Sequence, residues 1–194
     1  MLLGARFVSP IGHRRREWWR RSIQSALPFL LFFLSANGLT ITTFNILAPV
    51  HRSMNAMNHR ESSREEWWRP RAEGVATYIS TKFASSDVIL LQEWWFDEKF
   101  TSVFDSVIGE NFYRIAERRP SGEEGKMRDD GMCCLVRKSG NLELVKSEKV
   151  LTGPQRIAQI IQCKERCSSG EGRSVFIANS HLSFPGDADP KWRR

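Results

Sequence analysis

The sequence predicts a layered α/β fold, and three observations carry that prediction. Strand and helix patterns alternate through the first half of the body: strand at 39–47, helix near 70–84, strand at 87–93 and helix at 97–108. A run of strand patterns follows at 131–137, 142–150, 157–163 and 174–182. The segment DVILLQE at 87–93 opens on continuous apolar residues, as a strand covered on both faces does. Helices that alternate with strands and then give way to strands alone argue for sheets with helices layered on them.

Each element has a local reason. LTITTFNIL (39–47) is rich in β-branched residues and ends just before Pro49. The polar stretch 50–66 reads as a loop. Pro70 suits a first helical turn, and Val75, Tyr78, Ile79 and Phe83 then recur at helical spacing. Phe100, Val103, Phe104 and Val107 repeat that spacing in the second helix. The charged, Gly-containing stretch 114–129 reads as an exposed loop. GMCCLVR at 131–137 and SVFIANSHL at 174–182 are strand-like, and 142–150 and 157–163 alternate enough to be strands. No helical segment follows the last strand, which predicts an incomplete domain.

The chain has 194 residues, 41% hydrophobic and 26% charged, the balance of one globular domain. It has no apolar run of the length a membrane helix needs. The net charge of +7 is uneven: residues 1–36 hold +5 of it, with Arg14, Arg15, Arg16, Arg20 and Arg21 ahead of the apolar run ALPFLLFFL. The near-neutral body argues against a broad basic nucleic-acid footprint. Residues 1–36 read as a targeting or signal-like segment directed to the secretory pathway or an organelle, and residues 37–194 as the folded body.

Adjacent Cys133 and Cys134 point to opposite faces of a strand. No histidine stands at metal-finger spacing around Cys163 and Cys167. Buried free thiols fit these residues, and a Cys163–Cys167 disulfide fits an exported chain.

Chemistry-bearing groups stand at the ends of apolar strands: Asn45 in TTFNILAP, Glu93 in VILLQEWW, and Asn179 with His181 in FIANSHLSFP. A carboxylate and an amide oxygen are hard ligands suited to Mg²⁺. An imidazole beside them contacts a phosphate or donates a proton. Together these are parts of a metal-dependent phosphodiester hydrolase, although each residue alone reads as an ordinary turn, strand-end or structural side chain.

In that order, TFNILAP, LLQEWW, DDGMCCLVR, QRIAQ and NSHLSFPGD resemble the endonuclease/exonuclease/phosphatase superfamily, and within it the carbon-catabolite-repressor and nocturnin branch of deadenylase-like proteins. The resemblance spans 39–187. It implies a four-layer α/β/β/α sandwich of which this chain is the N-terminal portion. It also implies Mg²⁺, or Mn²⁺, on Glu93 and Asn45, with Glu93 the main ligand. By the same match His181 contacts the scissile phosphate, Asn179 supports it, Asp130 lines the cleft, and Arg156 pairs with phosphate or braces the sheet. Gln155 stands where relatives carry an acid, and Trp68 and Arg71 read as structural. The implied substrate is a phosphodiester, RNA or a nucleotide.

The Gly-Asp-x-Asn and Ser-Asp-His motifs of the family have no match after His181. Two expectations follow for the chain as given: a Mg²⁺-dependent exonuclease-like hydrolase lacking its C-terminal catalytic motifs, or a catalytically inactive fragment or binding module.

Overall fold

The structure, a computed structural model, describes residues 38–121, 123, 125–166 and 172–181. The basic segment 1–36, Cys167 and the stretch after His181 lie outside the described residues.

The described chain forms two sheets and two α-helices, with a short 3-10 helix at Glu61–Ser63. The first sheet has strand order β1-β2-β4-β3, made of β1 (Ile41–Asn45), β2 (Val88–Trp95), β4 (Met127–Arg137) and β3 (Phe112–Pro120). β1 and β2 are parallel and the other pairs antiparallel. The second sheet is antiparallel, in the order β5 (Leu142–Gly153), β6 (Arg156–Glu165), β7 (Ser174–Ser180). Helices α1 (Glu65–Lys82) and α2 (Glu98–Ile108) join the strands of the first sheet.

Two cores explain the layering. Trp68, Ala72, Ala76 and Ile79 of α1 and Phe100, Val103, Phe104 and Ile108 of α2 pack with Ile89, Leu91, Cys133 and Leu135 of the first sheet. The alternate residues Val88, Leu90, Cys134 and Val136 face the other way and pack with Leu142, Ile161, Cys163 and Ile177 of the second sheet. The apolar run of β2 is therefore covered on both faces, and Cys133 and Cys134 divide between the two cores. Cys133, Cys134 and Cys163 are buried free thiols. Helix, sheet and second sheet make three layers. Among the described residues the outer face of the second sheet carries no helix, and Phe176 there is 64% exposed.

Two local expectations are corrected. The stretch 114–129, expected as a loop, is most of β3 and the start of β4. β3 is an edge strand, where charges are tolerated and blunt unwanted pairing. Arg114 pairs with Asp105 at 2.8 Å, and the Arg118 guanidinium lies over the Phe96 ring. Those charges hide the alternation that reveals a strand. Helix α1 begins at Glu65, so Pro70 lies beyond its first turn. The acids Glu65 and Glu66 occupy that first turn, where the helix dipole favours them.

No helix among the described residues is long and apolar enough to cross a membrane.

Candidate functional site

The site is built where β1, β2 and β7 end. Parallel pairing sets Asn45 opposite Gln92, which brings Asn45 beside Glu93. The β2–β4 ladder slips between Gln92 and Trp94, and Glu93 takes a left-handed backbone with φ of 60°. A bulge of this kind re-aims one side chain out of the alternating pattern, and left-handed backbone in a non-glycine residue concentrates at functional sites. Gly131, paired with Trp94 just past the bulge, has a packing reason. A Cβ there would stand 2.0 Å from the Glu117 carbonyl oxygen.

Glu93 gathers its neighbours through both oxygens. Asn45 Nδ2 donates to Oε1 at 2.9 Å, and the Ala48 amide donates to Oε2 at 3.3 Å. Asn45 Oδ1 accepts from the Leu47 amide at 2.8 Å, closing a tight turn that leaves Leu47 at φ of 53°. His181 Nε2 lies 3.7 Å from Glu93 Oε1. Burial pushes the His181 imidazole below its ordinary pKa, and the Glu93 charge offsets part of that fall. The structure thus brings together Asn45, Glu93 and His181.

A carboxylate with lone pairs to spare and an amide oxygen form a hard donor set, which fits Mg²⁺ or Mn²⁺. Among the described residues no group of three or more histidine, cysteine or acidic side chains is gathered to hold a metal. Glu93 and Asn45 would therefore share an ion with water and phosphate oxygens, the manner in which Mg²⁺ is usually held.

Asp130 and Asn179 lie in the interior, each held by several partners. Asp130 is 1% exposed. It pairs with Arg119, with Arg128 Nε at 3.1 Å, and lies 3.1 Å from His51 Nε2. Burial alone would raise its pKa. The neighbouring His51 and the Arg119 charge outweigh burial and hold the carboxyl at about 2. Asn179, also 1% exposed, has its amide fully engaged inside the protein. Its Oδ1 accepts from Gln92 Nε2 at 2.8 Å, and its Nδ2 donates to the Leu91 and Cys133 carbonyls at 3.0 and 3.2 Å. It braces one sheet against the other, two residues before His181.

Arg156 heads β6, half-buried, and its charge disfavours protonation of His181. Gln155, in place of an acid, still supplies an acceptor: Arg128 Nη1 donates to its Oε1 at 3.0 Å. Trp68 is buried in the helix-side core. Arg71 donates to the Ile46 and Leu47 carbonyls, each at 2.8 Å, and its Nε to both oxygens of buried Glu61 at 3.0 Å. It clamps the turn that follows Asn45. The sequence reading missed Gln92, whose signal was an amide at an inward strand position. It also missed His51, Glu61 and Arg119, which stand in polar stretches without periodicity.

No family model matches the sequence. An uncharacterized calcium-binding protein of Arabidopsis thaliana is 26% identical over 163 residues, a match covering 78% of this chain and 32% of the relative. The chain thus spans about a third of that relative's length. Among solved structures, the human nocturnin catalytic domain with bound sulfate superposes with a TM-score of 0.53 at 19% identity, covering 82% of this chain and 55% of that one. ANGEL2, a 2′,3′-cyclic phosphatase seen with adenosine-2′,3′-vanadate, superposes with a TM-score of 0.50 at 16% identity, covering 75% and 41%. With two stacked sheets and helices on the outer face of the first, the described chain has the fold that the nocturnin catalytic domain shows.

Proposed function

We propose that the chain is a Mg²⁺-dependent phosphodiester hydrolase of exonuclease or deadenylase type, acting on RNA or a nucleotide. The observation that carries this reading is the Glu93 carboxylate. It is held on a left-handed bulge by Asn45 and the Ala48 amide, with His181 3.7 Å away.

Glu93 and Asn45 would hold the ion. A bound Mg²⁺ polarises a phosphoryl oxygen and favours a nucleophilic water. The protein's own groups do the rest. Asn45 keeps the carboxylate oriented through its amide hydrogens, and its oxygen, which accepts from the Leu47 amide, has a second lone pair for the ion. His181, whose charged form burial disfavours, would contact a phosphate oxygen through its ring N–H. Asn179 and Gln92 fix the separation of the two strands that carry these groups.

A second reading, a phosphate-binding module without turnover, is favoured by one observation: no three-residue metal-ligand group gathers among the described residues. One experiment separates the two. The full chain is incubated with a short RNA oligonucleotide, with Mg²⁺ and with chelator. The hydrolase reading expects turnover that needs Mg²⁺ and falls to background in Glu93→Gln, whose far-ultraviolet circular dichroism stays that of the wild type. Binding of the oligonucleotide without turnover selects the module. Turnover indifferent to Glu93→Gln overturns the assignment of the site.

A further inference from the structure

The turn after β1 is tied to both acids of the site. The Ala48 amide donates to Glu93 at 3.3 Å, and the His51 amide donates to the Ala48 carbonyl at 2.9 Å. The His51 carbonyl accepts from Arg60 Nη1 at 3.0 Å. The backbone that carries the His51 ring is therefore fixed. On the ring, Nε2 is buried and lies 3.1 Å from Asp130 Oδ2, without a well-aligned hydrogen bond. The side chain as a whole keeps 27% exposure, so its open part lies away from Nε2.

Two physical arguments separate this ring from one that merely fills space. An ionised carboxylate beside Nε2 holds the ring proton there and fixes the tautomer, which leaves Nδ1 as the working nitrogen. The surrounding charge is also unbalanced. Arg119 and Arg128 both pair with Asp130, leaving this cluster cationic before His51 is counted. Arg119 is itself nearly buried, and its Nε has no hydrogen-bond partner. The same charges reach His181, whose protonation responds to Asp130, Arg119 and Arg156. A partly buried cationic excess at that position attracts an anion.

We propose that His51 is a second substrate-contacting histidine of this site, oriented by Asp130 as its positioning residue. The ring in its imidazolium form donates Nε2–H to the Asp130 carboxylate and Nδ1–H to a phosphate oxygen. Both partners are anions, so phosphate binding and the charged ring favour each other. This inference rests on the phosphate-binding part of the function proposed above and adds a residue to it.

The test labels the histidine rings of the full chain with ¹⁵N and titrates it, in Mg²⁺, with adenosine 5′-monophosphate and separately with inorganic phosphate. His51→Gln and His59→Gln assign the signals. The ring nitrogens of His51 should move to the imidazolium pattern and saturate together with those of His181. His59, which hydrogen-bonds Asn55 through Nδ1 at 2.9 Å, should stay still and serves as the control. His51→Gln should weaken adenosine 5′-monophosphate binding about tenfold, a loss that His59→Gln does not share. Saturating shifts at His181 with none at His51 overturn the inference and leave the proposed function standing. So does a His51→Gln variant that loses stability without losing affinity. If neither histidine responds to either ligand, both readings fall.

Discussion

Gln92 Nε2 donates to Asn179 Oδ1 at 2.8 Å, joining the middle of the first sheet to the edge strand of the second. Gln92 also reaches Thr43 Oγ1 at 2.9 Å and the Leu90 carbonyl at 3.2 Å. The bond thus links β1, β2 and β7, the three strands whose ends carry Asn45, Glu93 and His181. Shape and polarity act together here, since a buried amide network is stabilising only when every member is satisfied.

Asn179→Ala is accordingly expected to destabilise the fold by more than a surface substitution does. It removes one of three acceptors from Gln92 Nε2, a donor from the Leu91 and Cys133 carbonyls, and leaves a cavity between the sheets. Each buried group left unsatisfied costs about 1–3 kcal/mol. Denaturant unfolding should show a loss of at least about 2 kcal/mol. A loss under about 0.5 kcal/mol, the scale of surface changes, would mean that the network is not holding the sheets.

The clamp on the turn after Asn45 gives a second prediction. Glu61 is fully buried between Arg52 and Arg71, and Arg71 alone also holds the carbonyls of Ile46 and Leu47. Lysine has one nitrogen and cannot reproduce this fork, so Arg71→Lys is not conservative. Glu61→Gln leaves two guanidinium groups facing a neutral amide, and breaking a buried pair in this way costs about 3–5 kcal/mol. Both variants should unfold at lower denaturant, and amide exchange at Leu47 and Ala48 should rise. Exchange that stays at the wild-type rate in Arg71→Lys would show that the turn is held by Glu93 and Asn45 alone.

These residues also show what the sequence made legible. Glu93 and His181 stood out because a charged or titratable side chain ended an apolar strand, and burial makes such a residue need a reason. β2 was readable because both of its faces are covered. β3 was not, because its charges are satisfied across the edge by α2 and by aromatic rings, which removes the alternation. His51 and Glu61 gave no signal, since each acquires its role only when a polar loop folds back onto Asp130 or Arg71. The partners of Asp130 were not legible, because spacing along a strand does not reveal the two arginines and the histidine around it.

Asp130 makes stability depend on pH in a defined direction. Its carboxyl is held at about 2, below its ordinary value of 3.8. A depressed carboxylate contributes stability that is complete above the unfolded pKa and is lost as pH falls through the folded one. The window therefore lies between about pH 4 and pH 2, and a shift of this size corresponds to about 2 kcal/mol. Other acids titrate in the same range, so the informative quantity is the difference between wild type and Asp130→Asn. That difference should be largest above pH 5 and narrow by about 2 kcal/mol towards pH 2. A difference that is independent of pH would show that the charge of Asp130 contributes nothing.

Leu47 gives the last prediction, in which the milder substitution does more harm. It sits at φ of 53° with 42% of its surface exposed, held there by Asn45 Oδ1 on its amide and Arg71 on its carbonyl. The left-handed region costs an L-residue about 1–2 kcal/mol. Leu47→Gly removes that cost. It adds about 0.5–1 kcal/mol for the freer unfolded chain and loses part of the ~1.5–3 kcal/mol that full burial of a leucine side chain gives. These terms nearly cancel, so the glycine variant should unfold within about 1 kcal/mol of wild type. Leu47→Val keeps most of the apolar surface, but it places a β-branched side chain where such residues are true outliers. The valine variant should therefore be the less stable of the two, by about 1 kcal/mol in denaturant unfolding. Valine matching leucine while glycine falls well below both would show that Leu47 is retained for its packing and that its backbone carries no strain.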